Sequence, residues 1–323
     1  MYTSDNGPVL YHAVSSYQLL EVILHRRLVH PHQKAVLILP DFITEKYPQV
    51  NRLVSGGWFD DVRLFPYTQI PHREESIIIQ DVVRFVRLRL PCPIGDFSEI
   101  YMAGAHFYFS LYLIENWIPF TFFEDAAGLL SRPEALDRSL SATYPFHAQI
   151  ARHHGLFSGE NPLIRRIICL KSAQTMDVSD KRFVDFCVED ALSILPPKQR
   201  KKLIRFFLPR PIFSRADAVL LTQHFAALGL MSLQQQKNLY LSARETDLCG
   251  LKLLIKPHPD DTLDYTELFP HAACIRRPFP AELLPYVFFG KPPGVIYTFN
   301  SSGCENLRRH FTIKQLRREA YGS

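Results

Sequence analysis

Short uncharged apolar runs recur along the chain, each followed by a polar loop and then by a stretch with apolar residues at helical spacing. "AVLILP" (Ala35 to Pro40), "EIYMAG" (Glu99 to Gly104) and "IPFTFFEDAAG" (Ile118 to Gly128) are too short and too apolar for amphipathic helices and have the character of buried strands. Between them, "SSYQLLEVILHRRLV" and "EESIIIQDVVRFVRLRL" carry the helical period, the first with Ser15 or Ser16 placed to cap it. Strand followed by helix, repeated, predicts a parallel sheet with helices on both faces. The pattern resumes with "RRIICLK", "DAVLLTQHF", "LKLLIKPHP", "ACIRRPFP" and "GVIYTFNSSG". Within the second half, "KRFVDFCVEDALSILPPKQRKKLIRFF" has the pattern of helices broken at Pro196-Pro197. The expectation is an α/β chain in two halves with a cleft between them. The proline-, serine- and glycine-containing stretch from Tyr144 to about Pro162 joins them, so the domains are expected at residues 1–160 and 161–323.

Composition agrees with two globular domains. The chain has 323 residues, 47% of them hydrophobic and 21% charged, too apolar for a disordered protein. A net charge of +5 suits anionic ligands without singling out nucleic acid, and the basic residues are dispersed, so no nucleic-acid partner is expected. Six scattered cysteines form no CxxC pair, which argues against a zinc ribbon or a dithiol redox site and fits a reducing cytoplasm. No secretory signal opens the sequence, and no stretch reaches the roughly 18 apolar residues of a membrane span.

Ligands of open parallel sheets bind beyond the carboxyl ends of the strands. The informative residues therefore follow each apolar run, among them Thr222, Gln223 and His224 after "AVLL". "EDAAG" places two acids, Glu124 and Asp125, at the end of a buried strand. They belong either to a solvated loop or to a general base that takes a proton from an alcohol. "KPHPDD" follows another strand. Prolines fix their own φ and restrain the residue before them, so His258 is presented in one direction, with Lys256 beside it. "PFPAELL" puts Glu282 in the first turn of a helix begun at Pro280, where it either serves the helix dipole or grips a ribose diol. "NSSG" puts Ser301 and Ser302 at a helix start, as caps or as part of a phosphate site. No GxxxxGK[ST] occurs, which excludes a Walker-type nucleotidase.

The order acid–acid, K-P-H-P, P-A-E, S-S resembles the bacterial sialyltransferases of the GT-B type. These comprise the lipooligosaccharide sialyltransferases, the multifunctional marine and Pasteurella-type enzymes and the capsule polysialyltransferases. They share a D/E-D/E-G motif, an H-P motif, a P-x-E segment and an S-S/T motif. The resemblance covers roughly Pro119 to Leu307, and Ala126 stands where the family has its glycine, with Gly128 two residues later. It implies two Rossmann-like domains, the N-terminal one binding acceptor and the C-terminal one binding a CMP-sugar. It further implies inverting transfer of sialic acid, or a related nonulosonic acid, to a hydroxyl of a surface glycolipid or capsule glycan. On that pattern Asp125, with Glu124 as the alternative, deprotonates the acceptor. His258, Ser301 and Ser302 hold the single donor phosphate, Glu282 holds the ribose, and no metal or other cofactor is needed. Rival readings are a CMP-Kdo transferase, a wall-polymer transferase with a similar H-P element, and an inactive nucleotide-binding homologue.

The tail "NLRRHFTIKQLRREAYGS" carries Leu307, Phe311, Ile313 and Leu316 among Arg308, Arg309, Lys314, Arg317 and Arg318. Its spacing predicts a C-terminal amphipathic helix, packed on the protein or lying against anionic lipid at the inner face of the cytoplasmic membrane.

Overall fold

The computed structural model describes residues 7–71, 73–299 and 301–317. The chain divides into two compact units, residues 1–202 and 203–323. The first is built on a seven-stranded sheet of β1 (Val9–His12), β2 (Ala35–Pro40), β3 (Asp61–Phe65), β4 (Glu99–Ala103), β5 (Phe120–Phe123), β6 (Ile164–Cys169) and β7 (Phe183–Asp185). Their spatial order is β3-β2-β1-β4-β5-β6-β7, and every pair is parallel. The second unit holds β8 (Ala218–Leu221), β9 (Leu253–Lys256), β10 (Ala273–Cys274), β11 (Val295–Thr298) and β12 (Thr312–Gln315), ordered β10-β9-β8-β11-β12 and again all parallel.

Both orders arise in the same way. The first three strands of each unit step outward in one direction, and the chain then returns to the other side of the starting strand. The central strands are buried along their whole length, as β1, β2 and β5 are, because helices cover both faces of such a sheet. Each sheet has its own core: Leu10, Ile38, Phe65, Met102 and Phe122 in the first, Leu220, Tyr240, Ile255 and Phe299 in the second. The strand order reverses between β1 and β4 in the first unit and between β8 and β11 in the second, and these switch points open a crevice at the strands' carboxyl ends.

Four expectations are corrected. A division after residue 160 would cut the first sheet, since β6 and β7 belong to it. The stretch expected to join the halves holds a helix, Pro145–His153, with proline at its first position where a missing N–H costs nothing. The segment entered at Ser302 is a 3₁₀ turn, Ser302–Leu307, and not an α-helix, and the one entered at Pro280 opens as a 3₁₀ turn, Ala281–Leu283, that runs directly into the short α-helix Leu284–Val287. The tail forms the edge strand β12 rather than a helix, with Thr312 to Gln315 paired on Val295 to Thr298. Leu307 and Phe311 do sit a helical turn apart, but Phe311 and Ile313 also alternate with the solvent-facing Thr312 and Lys314, and that period of two prevails because β11 offers an open edge. Lys314 on this edge strand discourages further pairing. Arg318 lies outside the described residues. No helix among the described residues is long and apolar enough to cross a membrane.

Candidate active site

In the first unit the switch point gathers the loops after β1, β4 and β5. The helix Ser16–Val29 begins directly after β1 with a capping box, in which Ser15 accepts from the Gln18 backbone N–H. The Gln18 side-chain carbonyl accepts from the backbone N–H groups of Val14, at 2.9 Å, and Ser15, at 3.1 Å. With its oxygen committed to those donors, the buried Gln18 amide turns its NH₂ outward, where it donates to Asp125 Oδ1. Gly104, at the end of β4, has φ +76°, and a Cβ there would lie 2.4 Å from Val14 Cγ2, so only glycine lets the β4 loop come this close to Val14.

The two acids after β5 occupy different environments. Glu124 is fully buried. One of its oxygens accepts from Leu170 N–H at 2.7 Å, and the other from Gly128 N–H at 3.1 Å and Gln174 Nε2 at 2.8 Å. Burial raises its carboxyl to about 7 against the pull of those donors. Glu124 thus clasps the loop after β5 to the loop after β6. Gly128 closes the clasp: its φ is +77°, and a Cβ would meet the Ala173 carbonyl oxygen at 2.8 Å. Gly128 is therefore the position in this loop that requires glycine.

Asp125 keeps 24% of its side chain exposed, with His106 Nδ1 at 3.7 Å. Burial raises Asp125 to about 6, opposed by the Gln18 hydrogen bond, and burial lowers His106 to about 4. At neutral pH this is a carboxylate beside a neutral imidazole, reachable from solvent and titrating close to neutrality, as a general base should.

In the second unit β8 ends at Thr222, Gln223 and His224, and β9 at the Pro-His-Pro turn. Thr222 Oγ1 accepts from the His258 backbone N–H at 3.0 Å and donates to Asp261 Oδ2 at 3.3 Å. Asp261 in turn accepts from the Tyr265 hydroxyl at 2.6 Å and from Gln236 Nε2 at 3.0 Å, so the turn is tied down on several sides. His258 Nδ1 accepts from the Asp260 backbone N–H at 3.2 Å, and the His224 ring stacks on it with centroids 3.6 Å apart and planes 9° apart. A ring nitrogen that accepts an N–H carries no proton, so the neutral His258 ring carries its proton on Nε2. The side chain is 31% exposed.

Glu282 and Lys256 are both buried. Burial raises Glu282 to about 7 and lowers Lys256 to about 8, each shift opposed by the other's charge. Lys256 Nζ sits 4.9 Å above the Phe279 ring. A Cβ on Gly303 would come within 3.4 Å of Glu282 Oε1, so the Ser-Ser-Gly turn packs directly against the Pro-Ala-Glu turn that starts at the buried Pro280. Ser301 stands at the cap position of its 3₁₀ turn but makes no side-chain cap bond. The side chain of Ser302 lies outside what the structure describes. The half-buried Gln223 is anchored by its backbone, its N–H donating to Tyr240 Oη at 2.6 Å.

The structure thus brings Pro280, Glu282 and Ser301 together through their turns, links Lys256 to Glu282 by charge, and ties His258 to the end of β8. Thr222 and His224 were legible as residues that follow a buried strand, and Gln18 and Asp261 are the supporting residues that sequence reasoning passed over. Of these two, Gln18 had a signal, the S-x-x-Q of a capping box. Among the described residues His224, His258 and Asp260 place ligand atoms within 4.8 Å of one another. Two imidazoles and a carboxylate are a donor set that suits zinc, and the stacked His224 ring also restrains the His258 ring.

No protein-family model and no curated protein matches the chain. Among solved structures it is similar to the S. aureus MnaA–UDP co-structure, at 14% identity and a TM-score of 0.57 over 96% of this chain and 79% of that one. It is likewise similar to the UDP-GlcNAc 2-epimerase of Methanocaldococcus jannaschii in complex with UDP-GlcNAc and UDP, at 10% identity and a TM-score of 0.51 over 93% and 80%. The glycotransferase of kitacinnamycin follows at 14% identity and a TM-score of 0.48 over 98% and 82%. The likeness to the first two establishes the fold: two α/β units with parallel sheets, in the GT-B manner.

Proposed function

We propose that the chain is a glycosyltransferase of the GT-B type that moves a sugar from a nucleotide donor to a hydroxyl of a glycan acceptor, with a CMP-linked sugar acid as donor. The observation that carries the reading is Asp125: a partly exposed carboxylate at a strand end, held by Gln18 and raised towards neutrality by burial. Asp125 takes the proton of the acceptor hydroxyl as that oxygen attacks the anomeric carbon. The anomeric bond to the donor phosphate breaks, and attack from the opposite face inverts the centre. In the second unit His258 Nε2–H donates to the departing phosphate, and the Ser301 and Ser302 hydroxyls bind its remaining oxygens. Glu282, packed beside the Ser-Ser-Gly turn, takes the ribose side of the nucleotide. Glu124 is a clasp and not the base, because it is fully buried and both its oxygens accept hydrogen bonds inside the fold.

A second reading follows from the similar structures, whose names include UDP and UDP-GlcNAc. A UDP-sugar would then replace the CMP-sugar as donor. One panel separates the two: nucleotide release from CMP-sialic acid, CMP-Kdo, CDP-glycerol and UDP-GlcNAc, with wild type and His258→Ala side by side. CMP-sialic acid is expected to be turned over and the variant to lose about a hundredfold or more, the usual worth of one donor on developing charge. Release from UDP-GlcNAc alone would replace the CMP reading, and wild-type turnover in His258→Ala would remove the histidine from the mechanism.

A further inference from the structure

The helix Phe109–Glu115 ends at Asn116, and the next residue, Trp117, has φ +52°. It is the one non-glycine residue with positive φ among those described. Its N–H donates to the Ile114 carbonyl at 3.1 Å, and the Ile118 N–H reaches back to the Leu113 carbonyl at 2.8 Å. This is the paired closure of a helix C-terminus in which the left-handed position is normally glycine, because a side chain there is strained. A tryptophan bears that cost here and recovers little of it in the core, since 78% of its surface remains exposed. Strain of this kind clusters at binding and active sites.

Trp117 lines a cavity of about 410 Å³ with Ile114, Arg152, His153, Glu160 and Leu163. The cavity lies where β5 and β6 begin, since Trp117 precedes Phe120 and Leu163 precedes Ile164. Asp125 follows the far end of β5, so this is a different site on the same unit. Its chemistry is mixed in a particular way. One wall is a flat, exposed indole. Opposite in character is Arg152, whose guanidinium is fixed by two bonds to Asp137, Nε to Oδ2 at 2.8 Å and Nη2 to Oδ1 at 2.6 Å. Glu160 adds an exposed carboxylate acceptor and His153 an exposed ring. The floor is stiffened by Asn161, which donates to the His154 carbonyl at 2.9 Å and accepts from Leu163 N–H at 3.0 Å. A saccharide ring has this same duality, an apolar face of C–H bonds and an edge of hydroxyls that donate and accept.

We propose that this cavity is a saccharide-binding site, with Trp117 as its stacking platform and Arg152 and Glu160 as its hydroxyl-reading edge. It holds a glycan away from Asp125 and takes no part in bond making. The chain has two tryptophans, and the other, Trp58, is buried. Trp117 emission is therefore the solvent-sensitive signal. The test titrates the full chain with lactose, N-acetyllactosamine, chitotriose and sialyllactose, reading emission and titration heat, with CMP and UMP as controls. At least one oligosaccharide should give saturable binding, lost in Trp117→Ala and weakened about tenfold in Arg152→Ala, as for an anchor and its polar neighbour. In parallel Trp117→Gly should raise the melting temperature, because glycine relieves the left-handed strain. Four outcomes overturn the proposal: no binding by any of the four sugars, binding that survives Trp117→Ala, a Trp117-dependent response to CMP or UMP instead, or a lower melting temperature in Trp117→Gly.

Discussion

At the scale of single residues, the two acids after β5 show what a sequence cannot express. Glu124 and Asp125 are neighbours of similar chemistry, yet one is enclosed by three donors and the other faces solvent. The difference is made by residues remote in the chain: Leu170 and Gln174 for Glu124, and Gln18 for Asp125. His258 was legible because prolines flank it. His224 was legible as a strand-end residue, but its stacking on His258 was not, since no local rule couples the ends of two strands. The Gln18 bond has a direct consequence. A hydrogen bond donated to a carboxylate favours its charged form, so it holds Asp125 below where burial alone would put it. A base works deprotonated. The kcat/KM profile should therefore fall as pH drops through about 6. In Gln18→Leu, which removes the opposing bond, that acid limb should move to higher pH while the neutral-pH plateau drops. A limb that stays put, or moves down, would mean that another group titrates.

At the scale of elements, the buried strands were legible and the segments between them less so. β2, β4, β5, β9 and β11 are short, mostly apolar runs because a parallel sheet is covered on both faces, and such runs are too short for a helix. The tail misled because Leu307 and Phe311 satisfy a period of four while Phe311 and Ile313 satisfy a period of two. Only the open edge of β11, a tertiary feature, decides between them. The helix Pro145–His153 was hidden by proline, glycine and serine around it, although proline at the first helical position is favourable. The loop after β5 is the element on which the candidate base depends, and Glu124 and Gly128 hold it from two sides. Glu124→Ala leaves two buried N–H groups without their acceptor and should cost about 3 kcal/mol. Gly128→Ala forces a side chain into a left-handed position against the Ala173 carbonyl and should cost about 2 kcal/mol. The double variant should lose clearly less than the sum, because either change alone already opens the clasp, and urea denaturation of the three variants measures this. Additive losses would show that the two residues do not share one loop.

At the scale of the whole molecule, the residues of the proposed mechanism are divided between the units. The acid, its glutamine and its neutral histidine all belong to residues 1–202; the Pro-His-Pro turn, Glu282 and the Ser-Ser-Gly turn all belong to residues 203–323. Nucleotide binding and acceptor activation should then be separable by mutation. CMP that binds the native state and not the unfolded chain stabilises it by roughly 2.7 kcal/mol at a hundred times its dissociation constant. That stabilisation should be unchanged in Asp125→Asn, which abolishes transfer, and reduced in His258→Ala. It should also persist in excess EDTA, as should transfer itself. A nucleoside monophosphate leaving group presents one phosphate, and an imidazole N–H with two hydroxyls suffices to hydrogen-bond and orient it. A nucleoside diphosphate presents two adjacent phosphates and commonly brings a divalent ion with it. Thermal unfolding with CMP and with UDP, each with and without chelator, therefore tests donor class and metal dependence together. Stabilisation by CMP that ignores EDTA supports the monophosphate reading. Stabilisation by UDP alone, lost on chelation and restored by magnesium or manganese, would move the protein to a diphosphate donor and give His258 a different partner.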